Sequence, residues 1–100
     1  MDAVLTLIKE TPYKDADGVQ RVNQTSRNVF CEKKSITRSE FFNAGRNGLN
    51  PEMMFKVFHG DYDGERKCEF EGKKLAIYRT YGTDGDYIEL YAQREGGTNG

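Results

Sequence analysis

Short runs of alternating apolar and polar residues follow one another along most of the 100-residue chain. Alternation with a period of two is typical of β-strands with one buried face, and Gly, Asp and Pro residues between the runs are typical of turns. The pattern predicts six strands, at residues 3–8, 27–35, 53–58, 67–70, 75–80 and 87–91. It predicts turns at residues 17–18, 60–65, 71–72 and 84–85. Such short strands and closely spaced turns favour a mainly β domain, a small antiparallel barrel or sandwich.

Within these strands the alternation also predicts which side chains face inward. Val29 and Cys31 share one face of their strand, and Met53, Phe55 and Val57 share one face of the next. In residues 75–80 the alternation sets Leu75, Ile77 and Arg79 against Ala76, Tyr78 and Thr80.

The first strand is apolar on both faces, and Thr11-Pro12 is expected to close it. Leu5 and Leu7 can face a core, while Val4 and Ile8 need cover from another element or another subunit. Residues 19–24 are mostly polar and fit either a solvent-facing strand or a loop.

Residues 36–51 break the β pattern and predict one short helix. Thr37 and Glu40 have the spacing of a capping box, in which the Thr37 hydroxyl accepts from the Glu40 N–H and the carboxylate reaches back to the Thr37 N–H. Ile36 and Phe41 occupy the two positions of a hydrophobic staple, which predicts that Phe41 packs inward and that Phe42 faces outward. Either Gly45 or Gly48 can end the helix. The helix is therefore expected as an insertion at about 37–50 in a single domain of residues 1–94, with a flexible tail at 95–100.

Composition narrows the function classes. The net charge of -1, with acidic and basic residues interleaved, provides no overall field for gathering nucleic acid. No apolar run approaches the roughly 20 residues that cross a bilayer, and no secretion signal is recognised, so the expected compartment is the cytoplasm. Cys31 and Cys68 fall in strand-like runs and are expected to be free core thiols.

Candidate catalytic and metal-binding chemistry is sparse. His59 is the only histidine and is expected to be a solvated strand-end residue. Residues 61–65 superficially resemble a calcium loop, but Arg66 and Gly72 stand where the glycine and the bidentate glutamate belong, which favours a hairpin turn. The two cysteines lack zinc-ligand spacing, and no phosphate-binding loop is present, so no cofactor, metal or catalytic residue is predicted.

Outward-facing aromatic residues point instead to protein contacts. The set is interleaved with charges, and tyrosine and arginine are enriched where protein surfaces meet. Exposed strands also favour tyrosine without any partner, and a nucleic-acid stacking surface would need a more basic setting. The predicted outward set is Phe58, Tyr78, Tyr81, Tyr87 and Tyr91, beside Lys56, Arg79, Glu89 and Arg94.

Several stretches resemble the head-closure (head-tail adaptor) proteins of tailed bacteriophages and prophages of Gram-positive bacteria. The resemblance covers nearly the whole chain and rests on residues 37–52, 55–58, 60–62, 75–81 and 86–91. It implies a non-enzymatic β-barrel that forms a ring in the virion neck beneath the portal and adaptor, retains packaged DNA and offers a docking surface to tail proteins. The implied partners are therefore portal, adaptor and tail proteins and further copies of the chain, with DNA touched only in the channel, no membrane, and host cytoplasm as the location before assembly.

The expected contact residues combine the helix with the outer tyrosines. They are Arg38, Glu40, Phe41, Phe42, Arg46, Tyr78, Arg79, Tyr81, Tyr87 and Tyr91. Two alternatives remain at this point: a tail-completion or tail-terminator-like neck ring protein, and a small nucleic-acid-binding β-barrel. The second would require a basic stripe, which the sequence does not show.

Overall fold

The computed structural model describes residues 2–83 and 85–95. Within these residues, six strands, one α-helix and one 3₁₀ turn follow in chain order. They are β1 (Ala3–Lys14), β2 (Gln20–Lys34), α1 (Arg38–Arg46), β3 (Pro51–Phe58), the turn (His59–Asp61), β4 (Lys67–Phe70), β5 (Lys73–Gly82) and β6 (Tyr87–Arg94). Asp84 of the predicted turn at 84–85 and residues 96–100 of the predicted tail lie outside the described residues.

All strand pairs are antiparallel, and the sheet closes on itself in the order β1-β2-β3-β6-β5-β4. Closure comes from β1, which pairs with β2 along its length and with β4 at residues 6–8. The prediction of a mainly β protein with one short helix is confirmed for the described part of the chain.

Side chains on the inner face of this closed sheet form the core. The predicted inward positions of β2 and β3 are confirmed, since Val29, Cys31, Met53, Phe55 and Val57 are all buried. The core is completed by Leu5, Leu7, Cys68, Phe70, Leu75, Ile88, Leu90 and Ala92. Both cysteines are free, as predicted, and burial raises the pKa of Cys31 to about 11 and that of Cys68 to about 12. The thiols therefore stay protonated at neutral pH and act as small apolar side chains.

The hairpin of β1 and β2 is longer than predicted. Lys9–Lys14 of β1 pair only with residues 20–25 of β2, because the pairing with β4 ends at Ile8 and β2 joins β3 only from Cys31. Pro12 does not close β1; it lies opposite Val22 in this two-stranded part, where a missing N–H breaks no ladder to a third strand. Residues 19–24, for which the sequence fitted either a strand or a loop, belong to β2 from Gln20 onward. Exposed on both faces, this ribbon extends beyond the closed sheet.

The second face of β1 is covered at one end only. Ile8 is 8% exposed although it points away from the core, and Val4 is 50% exposed. Residues 64–67 line a small cavity together with Ile8, and the Glu65 carboxylate in this segment accepts from Arg27 Nη2 at 2.8 Å and from the Asp63 N–H at 2.9 Å. The Tyr62 hydroxyl donates to the Glu65 carbonyl at 2.6 Å. The loop after the 3₁₀ turn is therefore fastened to the hairpin by a carboxylate of which only 2% is exposed.

A β-bulge in β5 overturns the predicted alternation of that strand. Ile77 pairs with Ala92, but Arg79 pairs with Tyr91, so Tyr78 is an extra residue without a partner in the ladder. The strand changes face at this point. Tyr78 and Arg79 therefore both reach the outer surface instead of alternating across the sheet, and Arg79 no longer shares a face with Leu75 and Ile77.

Candidate assembly surface

Helix α1 begins where the capping pattern predicts. Thr37 has extended backbone angles, and its Oγ1 accepts from the Glu40 N–H at 3.1 Å. The helix ends in a Schellman motif: the Gly48 N–H donates to Gly45 O and the Leu49 N–H to Ala44 O, both at 3.0 Å. Gly48, with a φ of 78°, is the left-handed residue that ends the helix, so of the two predicted glycines it is Gly48 and not Gly45 that has this role.

The second predicted contact of the capping box, from the Thr37 N–H to the Glu40 carboxylate, is wrong. The Glu40 carboxylate does not turn back to the Thr37 N–H; it accepts from Tyr78 Oη at 2.6 Å and from the guanidinium of Arg79. Arg79 on β5 is a charged, bidentate donor, and it binds the Glu40 carboxylate more strongly than the single solvated N–H of Thr37 would. The carboxylate thus joins the helix to β5 instead of closing its own first turn.

Replacing the capping hydroxyl should loosen the helix alone. We expect Thr37→Ala to cost about 1 kcal/mol of helix stability, because the Glu40 N–H loses its acceptor. Amide hydrogen exchange should show weaker protection in residues 38–46 and unchanged protection in β3 and β6. Equal loss of protection throughout the sheet would contradict this separation of helix and sheet.

The contact between α1 and β5 is a polar cluster. Glu40 is 11% exposed in its side chain, and the Arg79 guanidinium also lies 4.0 Å from the ring centroid of Tyr91. Tyr91 in turn donates from its hydroxyl to Glu89 Oε1 at 2.8 Å. Hydrogen bonds from Arg79 hold the pKa of Glu40 below its usual range, while burial, reinforced by the Glu89 acceptor, raises the pKa of Tyr91 to about 12. We call Glu40, Tyr78, Arg79 and Tyr91 the latch.

Because the latch depends on the ionised Glu40 carboxylate, we expect α1 to detach from β5 at acidic pH. Because folding lowers the pKa of Glu40, the stabilisation from its ionised form is present above the ordinary carboxyl pKa of about 4.3 and is lost as the pH falls through the folded value. NMR signals of residues 38–46 should therefore shift as the pH falls below the ordinary carboxyl pKa, before the signals of the core strands change. Glu40→Gln should abolish this local transition; a transition of equal size in that variant would assign it to another group.

The helix presents its aromatic side to solvent. Glu40 and Ala44, one turn apart, face the sheet; Ala44 is the buried residue of the helix, and β3 beneath it has its outward-facing Met54 buried. Phe41 is 49% and Phe42 60% exposed. The prediction that Phe41 packs inward is therefore wrong in large part, because each residue turns about 100° and the latch fixes Glu40, not Phe41, toward the sheet.

Arginines complete this exposed side. Arg38 and Arg46 are exposed and form no salt bridge with other residues in 2–83 and 85–95. Residues 38, 41, 42, 45 and 46 share one side of an α-helix by their spacing. We call Arg38, Phe41, Phe42 and Arg46 the helix face.

The two remaining predicted contact residues lie elsewhere. Tyr81 is 57% exposed and pairs with Glu89 in the ladder, and Tyr87 is 37% exposed. The Tyr87 ring lies 6.3 Å from that of Phe58 and 5.0 Å from Lys56 Nζ. The ten predicted residues thus fall into the latch, the helix face and this separate pair of tyrosines.

Sequence reasoning missed an exposed apolar row on the outer sheet surface. Val4 pairs with Phe30, and Phe58 pairs with Tyr87; Phe30 and Phe58 stand one step beyond the paired Cys31 and Val57. We call Val4, Phe30, Phe58 and Tyr87 the apolar row. Alternation alone places Phe30 and Phe58 outward, but only the register shows that the four side chains adjoin.

Other candidate chemistry is engaged in structural contacts. Asp63 pairs with Lys9 at 2.8 Å and Glu65 with Arg27, so two of the three acidic residues of the calcium-like segment already have basic partners. His59 is exposed in the 3₁₀ turn. Within residues 2–83 and 85–95, no cluster of three or more metal-ligating side chains is found, and no helix there is long and apolar enough to cross a membrane.

Comparisons with known proteins assign no family. No protein-family model and no curated protein matches the chain.

Proposed function

We propose that the protein is a head-closure protein, a structural component of a bacteriophage neck that forms a ring beneath the portal and adaptor. The observation that carries this proposal is the orientation of α1. Its polar side is latched to β5 and its two phenylalanines face solvent, which is the reverse of a helix that serves only its own domain. The helix lies in the segment with the longest resemblance to head-closure proteins, and the closed, antiparallel sheet supports the small barrel that this resemblance implies.

The latched helix suits docking better than plugging. In this structure α1 lies against the sheet, whereas the ribbon of residues 9–25 is the part that extends away from it. We therefore assign α1 to contact with another protein chain. DNA retention then follows from the closed ring and not from insertion of this helix into the channel.

Purified protein should restore particles that lack it. DNA-filled heads from a phage deleted for this chain should be sensitive to DNase and unable to join tails. Addition of the purified protein should make the DNA resistant and then permit tail joining. Restored joining without any change in DNase sensitivity would instead favour the tail-completion role, and no effect on either would refute the proposal.

The isolated protein should bind DNA weakly or not at all. On the outer sheet Lys56 lies between Glu32 and Glu89 in the ladder, so its charge is offset by both neighbours. A salt-titrated binding assay with duplex and single-stranded DNA measures this directly. A submicromolar complex with a steep salt slope would favour the nucleic-acid-binding alternative, because that slope counts neutralised phosphates.

A further inference from the structure

A second row of side chains runs beside the apolar row and carries mostly negative charge. Glu32 pairs with Lys56, and Lys56 pairs with Glu89, while Asp2 stands one step beyond the paired Ala3 and Cys31. We call Asp2, Glu32, Lys56 and Glu89 the acidic row. Neither Asp2 nor Glu32 forms a salt bridge within residues 2–83 and 85–95. The outer sheet therefore combines exposed apolar side chains with two bordering carboxylates, Asp2 and Glu32, that have no basic partner among the described residues.

The helix face has the complementary composition. It offers two phenylalanine rings and two guanidinium groups, and the acidic row contributes three carboxylates and one ammonium. Adjacent rows on one face of a sheet are about 7 Å apart, a distance that an arginine side chain spans. A helix seated on the apolar row would thus place its arginines within reach of the carboxylates.

The two surfaces also match in length. From Arg38 to Arg46 the helix rises about 12 Å, at 1.5 Å per residue. The apolar row crosses four adjacent strands, which is about 14 Å at the usual spacing. The helix can therefore lie across the strands with an arginine near each end of the acidic row.

We propose that the helix face of one subunit docks on the apolar row and acidic row of a second copy of the chain. This inference rests on the proposed function and names the subunit contact of its ring. The two surfaces share no residue, so the contact is heterologous: each subunit gives its helix to one neighbour and receives the helix of another. Repetition of such a contact closes a ring when the rotation permits.

Engineered cysteines test the contact even when it is weak. Phe42→Cys marks the helix face and Phe30→Cys marks the apolar row, and both positions are exposed, so folding should be retained. Cys31 and Cys68 are fully buried and should not react. The two variants carry tags of different size, are mixed at high concentration under mild oxidation, and are separated on a non-reducing gel. Lys74→Cys, at an exposed site on β5 away from both surfaces, sets the level of random collision.

The expected dominant product joins position 42 of one chain to position 30 of the other. The double substitution Arg38→Glu with Arg46→Glu in the helix-marked chain should abolish this product, whereas Arg38→Lys with Arg46→Lys should retain it. When the charge-reversed helix is mixed with a row-marked chain that carries Asp2→Lys and Glu32→Lys, the product should form again. Products joining 42 to 42 or 30 to 30 as the main species, or yields at the Lys74→Cys level, would overturn the proposal. If these crosslinks fail while particles lacking the protein still leak DNA, the contact is wrong and the proposed function stands. If the crosslinks form but particles lacking the protein retain their DNA and join tails, the proposed function is wrong and the contact stands.

Discussion

Arg27→Ala is expected to lower the free energy of unfolding by about 2–3 kcal/mol, because it leaves the Glu65 carboxylate buried without its charged partner. Glu65 is 2% exposed in its side chain, and two guanidinium nitrogens of Arg27 donate to it at 2.8 and 3.1 Å. The Asp63 N–H alone cannot compensate for a buried charge. The loop must then open to return the carboxylate to water. The Arg27 side chain is itself 44% exposed, which keeps the expected loss below that for a fully buried pair.

Arg21→Ala is the matched control. Arg21 belongs to the same hairpin and pairs with Asp15 at 2.6 Å, but its side chain is 57% exposed, so its loss should cost less than about 1 kcal/mol. Urea unfolding of both variants, with equal m-values, measures the difference. Equal effects of the two substitutions would show that Glu65 does not fasten the loop.

Phe42→Ala is expected to abolish assembly onto DNA-filled heads while leaving the isolated domain almost as stable as before. With 60% of Phe42 exposed, the substitution should change stability by no more than about 0.5 kcal/mol, which corresponds to less than about 4 °C in Tm. Phe41 is 49% exposed, and Phe41→Ala should lower Tm only slightly more. Differential scanning calorimetry beside the DNase-protection assay measures both properties.

Phe70→Ala supplies the contrast for Phe42→Ala. Phe70 is 5% exposed and its ring lies 5.0 Å from that of Phe55, so its truncation should cost about 3–5 kcal/mol and impair assembly only through unfolding. A Phe42→Ala protein that melts as low as this control, or that assembles normally, would remove the helix from the assembly surface.

Local sequence signals predicted the parts of this fold that depend on near neighbours. The Thr37 cap and the inward side chains of β3 follow from spacing within a few residues, and both are present. The closing glycine was narrowed to two candidates by the same kind of signal. Strand patterns were therefore sufficient to predict a mainly β domain, and the capping pattern was sufficient to predict where the helix begins.

Features that depend on distant residues were not predictable in this way. Glu40 finds Tyr78 and Arg79 because a bulge in β5 brings two consecutive side chains to one surface, and nothing local to residue 40 signals that event. The strand end predicted at Pro12 was wrong because a proline can stay in a strand whose edge is free. That edge is free at Pro12 only because pairing with β4 stops at Ile8, which the local sequence does not show. The apolar row likewise depends on the registers of three strand pairs, each set by closure of the sheet.

The proposed head-closure role can be tested directly by electron microscopy of particles from a phage that carries this gene, prepared with and without the chain. Particles without the protein should be tailless heads that package DNA and then lose it, accompanied by free complete tails, and expression of the chain in trans should restore joined particles. Complete necks and stable, tailed virions in its absence would contradict a head-closure role.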